Sequence, residues 1–207
     1  MIAFDNSHRT DGISLICGVD EAGRGPLAGP VVAAAVVVSA SVSIEGVNDS
    51  KKLTEQKRNE LYDYIISRCG AYSINVNDEK RIDEINILQS SLEAMKNCID
   101  MLTLRPELIL VDGNKLFPHE ISRKAIVKGD SKSFAIACAS ILAKVTRDRL
   151  MFELHEEYPQ YNWKKNKGYP TRDHISAVLE FGPCIYHRKT FLKNISEWEK
   201  NEFYKKH

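Results

Sequence analysis

From Cys17 to Pro30 the chain reads Cys-Gly-Val-Asp-Glu-Ala-Gly-Arg-Gly-Pro-Leu-Ala-Gly-Pro, and this stretch constrains the fold more than any other. The apolar positions Ile13, Leu15, Ile16 and Val19 read as a strand that delivers two adjacent carboxylates, Asp20 and Glu21. A loop with three glycines follows at once and carries one cation, Arg24. Acids at the end of a buried strand are costly to desolvate unless a cation neutralises them. Glycines let backbone N–H groups come close to an anion or a sugar. A metal on one side and a polyanion on the other would suit such a stretch, although a Gly/Pro turn after Asp-Glu is also ordinary loop punctuation. A dinucleotide-binding turn needs a helix directly after its glycines. Here Pro26 and Pro30 interrupt the segment, and a β-branched run, Val31 to Val38, begins immediately. The unit therefore reads strand, tight loop, strand.

A chain of 207 residues with 43% hydrophobic content can bury one good core. The formal net charge of +1 argues neither for nor against a nucleic-acid partner. Lys and Arg gather at 51–58, 123–132, 144–149, 164–172 and 187–193, and acids at 78–84, 153–157 and 197–202. Such clusters are solvated faces unless folding brings the basic ones to one side as a phosphate track. The five cysteines, Cys17, Cys69, Cys98, Cys138 and Cys184, are widely spaced and contain no C-x-x-C pair. They suggest small core residues rather than a disulfide framework or a zinc site. With no signal pattern and no apolar run of membrane length, the expectation is a soluble cytoplasmic protein without a membrane partner.

Beyond the first two strands, Asn48-Asp49-Ser50-Lys51-Lys52-Leu53 is a polar turn able to cap a helix over roughly 54–68. Ala71 to Val76 alternates as a third strand, and residues 84–102 space Ile85, Leu88, Leu92, Met95 and Ile99 as an amphipathic helix. Short strands at Leu108–Val111 and Ala125–Val127 end in Asp112-Gly113-Asn114 and Lys128-Gly129-Asp130. An Ala-rich helix over about Ser133–Leu154, a Pro/Gly/aromatic segment at 158–170, and helices near 171–181 and 192–203 complete the chain. This pattern predicts an α/β class fold, a mixed sheet flanked by helices with a small C-terminal helical extension. The organisation expected is a main domain over 1–157, with 158–207 packed on it as one unit.

Asp20, Glu21, Asp112 and Asp130 each lie at or just past the C-terminal end of a predicted strand. Parallel strands bring such ends to the sheet edge where ligands bind. Four carboxylates there repel unless divalent cations intervene, and oxygen-only donors suit Mg²⁺ or Mn²⁺. Two ions about 3.5–4 Å apart would hold the attacking water and leaving oxygen of a phosphodiester in line. Taken singly, Asp112 and Asp130 are also ordinary turn formers. Neighbours in a strand point to opposite faces, so Asp20 and Glu21 are expected to converge only if the strand breaks between them, as Gly23 would permit. Ser140, Lys144, Arg147 and Asp148 share one helical stripe, fit either for a phosphate contact or for a surface Lys144–Asp148 pair. Tyr169, in Gly168-Tyr169-Pro170-Thr171, is either a stacking platform or an exposed turn residue.

These residues resemble the ribonuclease HII family from about Ile13 to Phe191. The matching segments are Asp20 to Pro26, Asn48 to Leu53, Asp83-Glu84-Ile85-Asn86-Ile87-Leu88, Val111 to Asn114, Lys128 to Asp130, Ala139 to Asp148 and Lys167 to Thr171. His187-Arg188-Lys189-Thr190-Phe191 matches less strictly. The resemblance implies an RNase H-like fold with a five-stranded sheet and an endonuclease cutting the RNA strand of RNA–DNA hybrids. It also implies cutting 5′ of single ribonucleotides embedded in duplex DNA, leaving 3′-hydroxyl and 5′-phosphate ends. Asp20, Glu21, Asp112 and Asp130 would hold two Mg²⁺ or Mn²⁺ ions, with Asp20 bridging both, Glu21 and Asp112 on one and Asp130 on the other. The backbone of Gly23-Arg24-Gly25 would read the ribose 2′-hydroxyl, the group that distinguishes RNA from DNA. Tyr169 would pack on the junction sugar, with Asn48, Ser50, Lys51, Ser140 and Lys144 as further substrate contacts. The sister family, ribonuclease HIII, resembles the chain less, because it usually lacks the loop arginine and carries Glu where Asp130 stands. No C-terminal sliding-clamp peptide of the Gln-x-x-Leu-x-x-Phe-Phe type is seen, and a monomer is expected. A non-catalytic hybrid binder and an integrase-like or resolvase-like nuclease are the rival readings.

Overall fold

The apolar run that begins at Ile13 becomes a strand only from Ile16. The computed structural model describes residues 1–10, 12–193 and 195, and in it strand β1 spans Ile16–Ala22. The chain reverses through the glycine loop into β2 (Val31–Val38), which pairs antiparallel with β1 from Ile16↔Val38 to Ala22↔Val32. All eight residues of β2 are buried, as Val and Ala must be when helices cover both sheet faces. Helix α2 (Glu55–Arg68) follows, then β3 (Ala71–Asn77) antiparallel to β2. Helix α3 (Glu79–Asp100) crosses to β4 (Leu108–Asp112), parallel to β1, and β5 (Arg123–Ile126) adds parallel to β4. The sheet is five-stranded and mixed, in the order β3-β2-β1-β4-β5, the α/β arrangement expected from the sequence.

Alternation along the strands divides the core. Ile16, Ala34, Val36 and Val38 face helix α4 (Phe134–Glu157), together with Leu108 and Leu110. Cys17, Val19, Ala33, Ala35 and Val37 face α3 with Ile109 and Val111. Each buried Val in these layers contributes roughly 1.5–3 kcal/mol. Helix α4 is capped by the Ser133 hydroxyl, which accepts from Ile136 N–H, and lies directly on β1. A β-carbon at Gly18 would fall 2.1 Å from the Ala135 carbonyl carbon. Any larger residue there would lift α4 and displace every side chain it brings to the sheet edge. A third cluster of Ala28, Met151, Tyr161, Trp163, Ala177 and Val178 joins the 27–30 segment to the end of α4, to α5 (Trp163–Asn166) and to α6 (Arg172–Phe181).

Several boundaries differ from the sequence reading. Helix α3 starts at Glu79, where the Asp78 carboxylate accepts from Arg81 N–H, rather than at residue 84. Its first turn is charged and gives no apolar signal. Within it Asn86 takes φ 67°, and its side chain re-caps the helix by accepting from Leu88 and Gln89 N–H. Strand β5 is Arg123–Ile126, not 125–127, and Val127 is exposed. Helix α1 (Ile2–Asn6) has no counterpart in the sequence reading. The helix expected near 192–203 falls almost wholly outside the described residues. Cys17, Cys98 and Cys138 are buried, Cys69 and Cys184 partly so, and all are free thiols.

Candidate active site

Asp20 and Glu21 do not require a strand break, contrary to the sequence expectation: β1 stays paired with β2 through Ala22. Alternation sends Asp20 to the α4 side and Glu21 to the α3 side. The two converge because the pairing of β1 with β4 ends at Val19↔Val111. Past that point both carboxylates stand at an open edge and line one cavity of about 510 Å³. Asp112 ends β4 one step beyond that pair, beside Asp20, and lines the same cavity. Its Oδ1 accepts from Gly129 N–H at 2.6 Å, tying β4 to the 3-10 turn Gly129–Ser131 that carries Asp130.

The electrostatics follow from this crowding. Burial first, then the charges of Glu21 and Asp112, push the Asp20 carboxyl well above the usual range. Burial also raises Glu21, against the opposing pull of Arg24, and raises Asp112, with Asp130 adding to it. Arg24 Nη1 lies 3.2 Å from Glu21 Oε1, while Glu21 Oε2 is buried with no partner. Lys51 Nζ stands 3.6 Å from Asp130 Oδ2. Burial pulls Lys51 down, but Asp130, Asp20, Asp49 and Asp112 outweigh it and hold the ammonium above its ordinary value. Three carboxylates, Asp20, Glu21 and Asp112, share the cavity wall with five cations, Arg24, Lys51, Arg58, Lys144 and Arg147.

The remaining sequence candidates fall into three groups. Gly23, Arg24, Gly25, Ser50, Lys51, Ser140, Lys144 and Tyr169 all line the cavity. The Ser50 and Ser140 hydroxyls lie 2.9 Å apart, and Lys144 donates to Asp148 Oδ1 at 2.7 Å. Asp130 adjoins the cavity without lining it. Asn48 also stays outside: it is exposed, and its Oδ1 accepts from Asp49 N–H. The stripe on α4 is not a surface stripe, since Ser140, Arg147 and Asp148 are buried. Arg147 donates to the carbonyls of Pro30, Lys167 and Ala28.

Two residues that shape the site carry no role in the sequence reading: Arg58 lines the cavity, and Arg188 does not. Arg58 donates to the carbonyls of Ser50 and Leu53 and so fixes the 3-10 turn Ser50–Lys52. Its place four positions after the helix cap Thr54 was the available signal. Arg188 is fully buried beneath the glycine loop, donating to Gly23, Arg24, Gly29 and Pro30 carbonyls. Gly23 is fixed by geometry: its φ is +99°, and a β-carbon would lie 2.2 Å from Arg147 Nε. Gly25 is different, because a β-carbon there would meet only the Tyr169 ring.

The donor set fits a hard divalent cation. It is all oxygen and crowded, and one of its oxygens, the buried Glu21 Oε2, has no partner among the described residues. As the side chains are oriented, no three His, Cys, Asp or Glu groups among the described residues form a ligating array. Closing on an ion requires the carboxylates to turn toward one another.

The family described as Ribonuclease HII matches residues 17–194. The ribonuclease HII of Caldicellulosiruptor saccharolyticus is 54% identical over 185 residues, 89% of this chain and 90% of that protein. The ribonuclease HII of Geotalea uraniireducens is 48% identical over 202 residues, 98% of this chain and 93% of that protein. The crystal structure of the ribonuclease H2 from Pyrococcus horikoshii OT3 aligns with a TM-score of 0.74 at 30% identity, covering 93% of this chain and 100% of that one. Carboxylates at the edge of a mixed five-stranded sheet, under a glycine-rich and basic rim, define a metal-dependent phosphodiester hydrolase. The chain belongs to the ribonuclease HII family, and it is an endoribonuclease acting on RNA–DNA hybrids. No helix among the described residues is long and apolar enough to cross a membrane.

Proposed function

We propose that this enzyme also cuts duplex DNA 5′ of a single embedded ribonucleotide, with Asp20, Glu21, Asp112 and Asp130 as the ligands of two divalent cations, Mg²⁺ or Mn²⁺. The observation that carries the reading is the shared cavity. Three carboxylates, Asp20 buried and Glu21 and Asp112 partly so, are each raised by burial and by an acidic neighbour and face a loop whose backbone lies open to the same space. Crowded like charges are poor structural elements and good ligands. Bound there, the ions would activate a water and stabilise the leaving oxygen of the phosphodiester.

The chain's own groups then have separable tasks. Asp20 and Asp112 present oxygens from adjacent strands, and Gly129 N–H orients the Asp112 carboxylate. Ser140, bonded to Ser50, holds a hydroxyl next to Asp20. Lys51, with its side chain 82% exposed, and Lys144 supply positive charge at the rim for backbone phosphates. The 23–25 backbone would meet the ribose 2′-hydroxyl, and the Tyr169 ring would close on the sugar beside it. The test is cleavage of a duplex with one ribonucleotide, mapped at nucleotide resolution with and without EDTA, beside a long hybrid and an all-DNA duplex. A single metal-dependent cut 5′ of the ribonucleotide, with the all-DNA duplex intact, is expected. Cutting of the all-DNA control, or cleavage of the long hybrid alone, overturns the reading.

A further inference from the structure

The carbonyls of Gly23 and Arg24 both point into the protein, each accepting from the buried guanidinium of Arg188, at 2.7 Å from Nη2 and 3.2 Å from Nη1. In a trans peptide the carbonyl and the following N–H point in opposite directions. Drawing the Gly23 carbonyl inward therefore turns the Arg24 N–H outward, and drawing the Arg24 carbonyl inward does the same for Gly25. Among the described residues neither N–H has a backbone acceptor, and both residues line the cavity. We propose that Arg188 is a positioning residue for sugar recognition: it aims the Arg24 and Gly25 N–H groups at the ribose 2′-oxygen. The inference rests on the proposal that this loop reads the ribose.

Arg188 is well placed for this task. No carboxylate pairs with it among the described residues, so its charge is met by loop carbonyls, including Gly29 and Pro30. Burial pushes it down to about 9, with Arg147 adding to the effect, so it stays charged at neutral pH. Its own backbone is fixed from two sides. Arg188 N–H donates to Leu27 carbonyl, and the Asp83 carboxylate accepts from Lys189 N–H, Thr190 N–H and the Thr190 hydroxyl. Arg147 offers an internal comparison, because it is equally buried under the same loop but bonds only to Ala28, Pro30 and Lys167 carbonyls.

The test compares single-turnover cleavage of duplexes carrying one ribonucleotide or its 2′-fluoro counterpart, which cannot reproduce the hydroxyl. The parental enzyme is expected to prefer the ribonucleotide. In Arg188→Lys that preference should shrink about 10-fold, the size of one or two lost hydrogen bonds, chiefly through the ribonucleotide rate. Arg147→Lys should lower both rates together and keep the ratio. Should Arg188→Lys not fold, Asp83→Asn loosens the same segment from outside, and a roughly 3-fold smaller ratio is expected. An unchanged ratio in the folded Arg188 variant, or in Asp83→Asn in its place, overturns the inference. So does a ratio lost equally in Arg147→Lys. A parental enzyme without any preference overturns the loop's reading role, and the assignment of Arg188 with it.

Discussion

The Tyr169 ring stands over Gly25, so close that a β-carbon added to the glycine would lie 3.4 Å from Tyr169 Cε1. That is van der Waals contact, and φ at Gly25 is not in the left-handed region. Gly25→Ala should therefore fold with a melting temperature near the parent's, while the new methyl crowds the space where a sugar would lie. Cleavage at a single ribonucleotide should fall about 10²-fold. Gly23→Ala should behave oppositely, losing stability first, because its φ of +99° and contact with Arg147 are both prohibitive. Paired melts and cleavage rates separate the two. Full activity in Gly25→Ala would exclude the loop as reader.

Tyr169 itself is 43% exposed, and its backbone is fixed on both sides. Its N–H donates to the Asn166 carbonyl, and its own carbonyl accepts from Thr171 N–H and faces His174 Nδ1. Tyr169→Ala should then remove the ring without moving the chain. A loss of about 10- to 100-fold at the junction is expected, the worth of one stacking platform. Tyr169→Phe keeps the ring face and should lose much less. Equal rates for all three on every substrate would remove Tyr169 from recognition.

Asp20→Asn keeps the shape of the side chain and removes one of several crowded charges. Cleavage should drop about 10³-fold or more, since the ions' several kcal/mol of transition-state stabilisation depends on this ligand. Without added metal the variant should melt no lower than the parent, because burial penalises the charge being removed. Asp130→Asn should also stop cleavage, although its carboxylate lies outside the cavity wall and beside Lys51. Near-normal cutting by either variant at saturating Mg²⁺ would remove that residue from the ligand set.

Much of this site was legible in the sequence because short motifs carry it. Strand ends, glycine spacing and acids locate Asp20, Glu21 and Asp112. Strand alternation alone asks for a break before Asp20 and Glu21 can converge, and β1 has none. What brings them together is where β4 stops pairing, which a linear pattern does not encode. The tasks of Arg147 and Arg188 escape a linear pattern for a related reason. A cation whose partners are backbone carbonyls from distant segments looks like any surface arginine until those segments meet. The charged first turn of α3 hid its start in the same way, since a helix beginning Glu-Lys-Arg shows its cap but no apolar stripe.

The stability of the enzyme should also carry a histidine signature. His187 is buried, and desolvation first, then His174, bring it down to about 4. His174, fully buried, is lowered as well, chiefly by burial. The network explains why both must be neutral. Cys184 N–H donates to His187 Nδ1, so His187 carries its proton on Nε2, which faces His174 Nε2 at 3.1 Å. His174 Nε2 also accepts from Trp163 Nε1, leaving its Nδ1 proton for the Tyr169 carbonyl. A second proton on either ring would place two donors face to face. In the unfolded chain these groups bind protons near 6.5, so the unfolded state takes up more protons as pH falls from about 6.5 toward 4. Stability is therefore full above that window and declines through it, by roughly 3 kcal/mol for the shift of His187 from 6.5 to about 4. Melting temperatures between pH 7.5 and 4 should fall on acidification, and His187→Gln should flatten the fall while lowering the plateau at neutral pH. A parental profile flat across that range would show that the buried pair is not the titrating element.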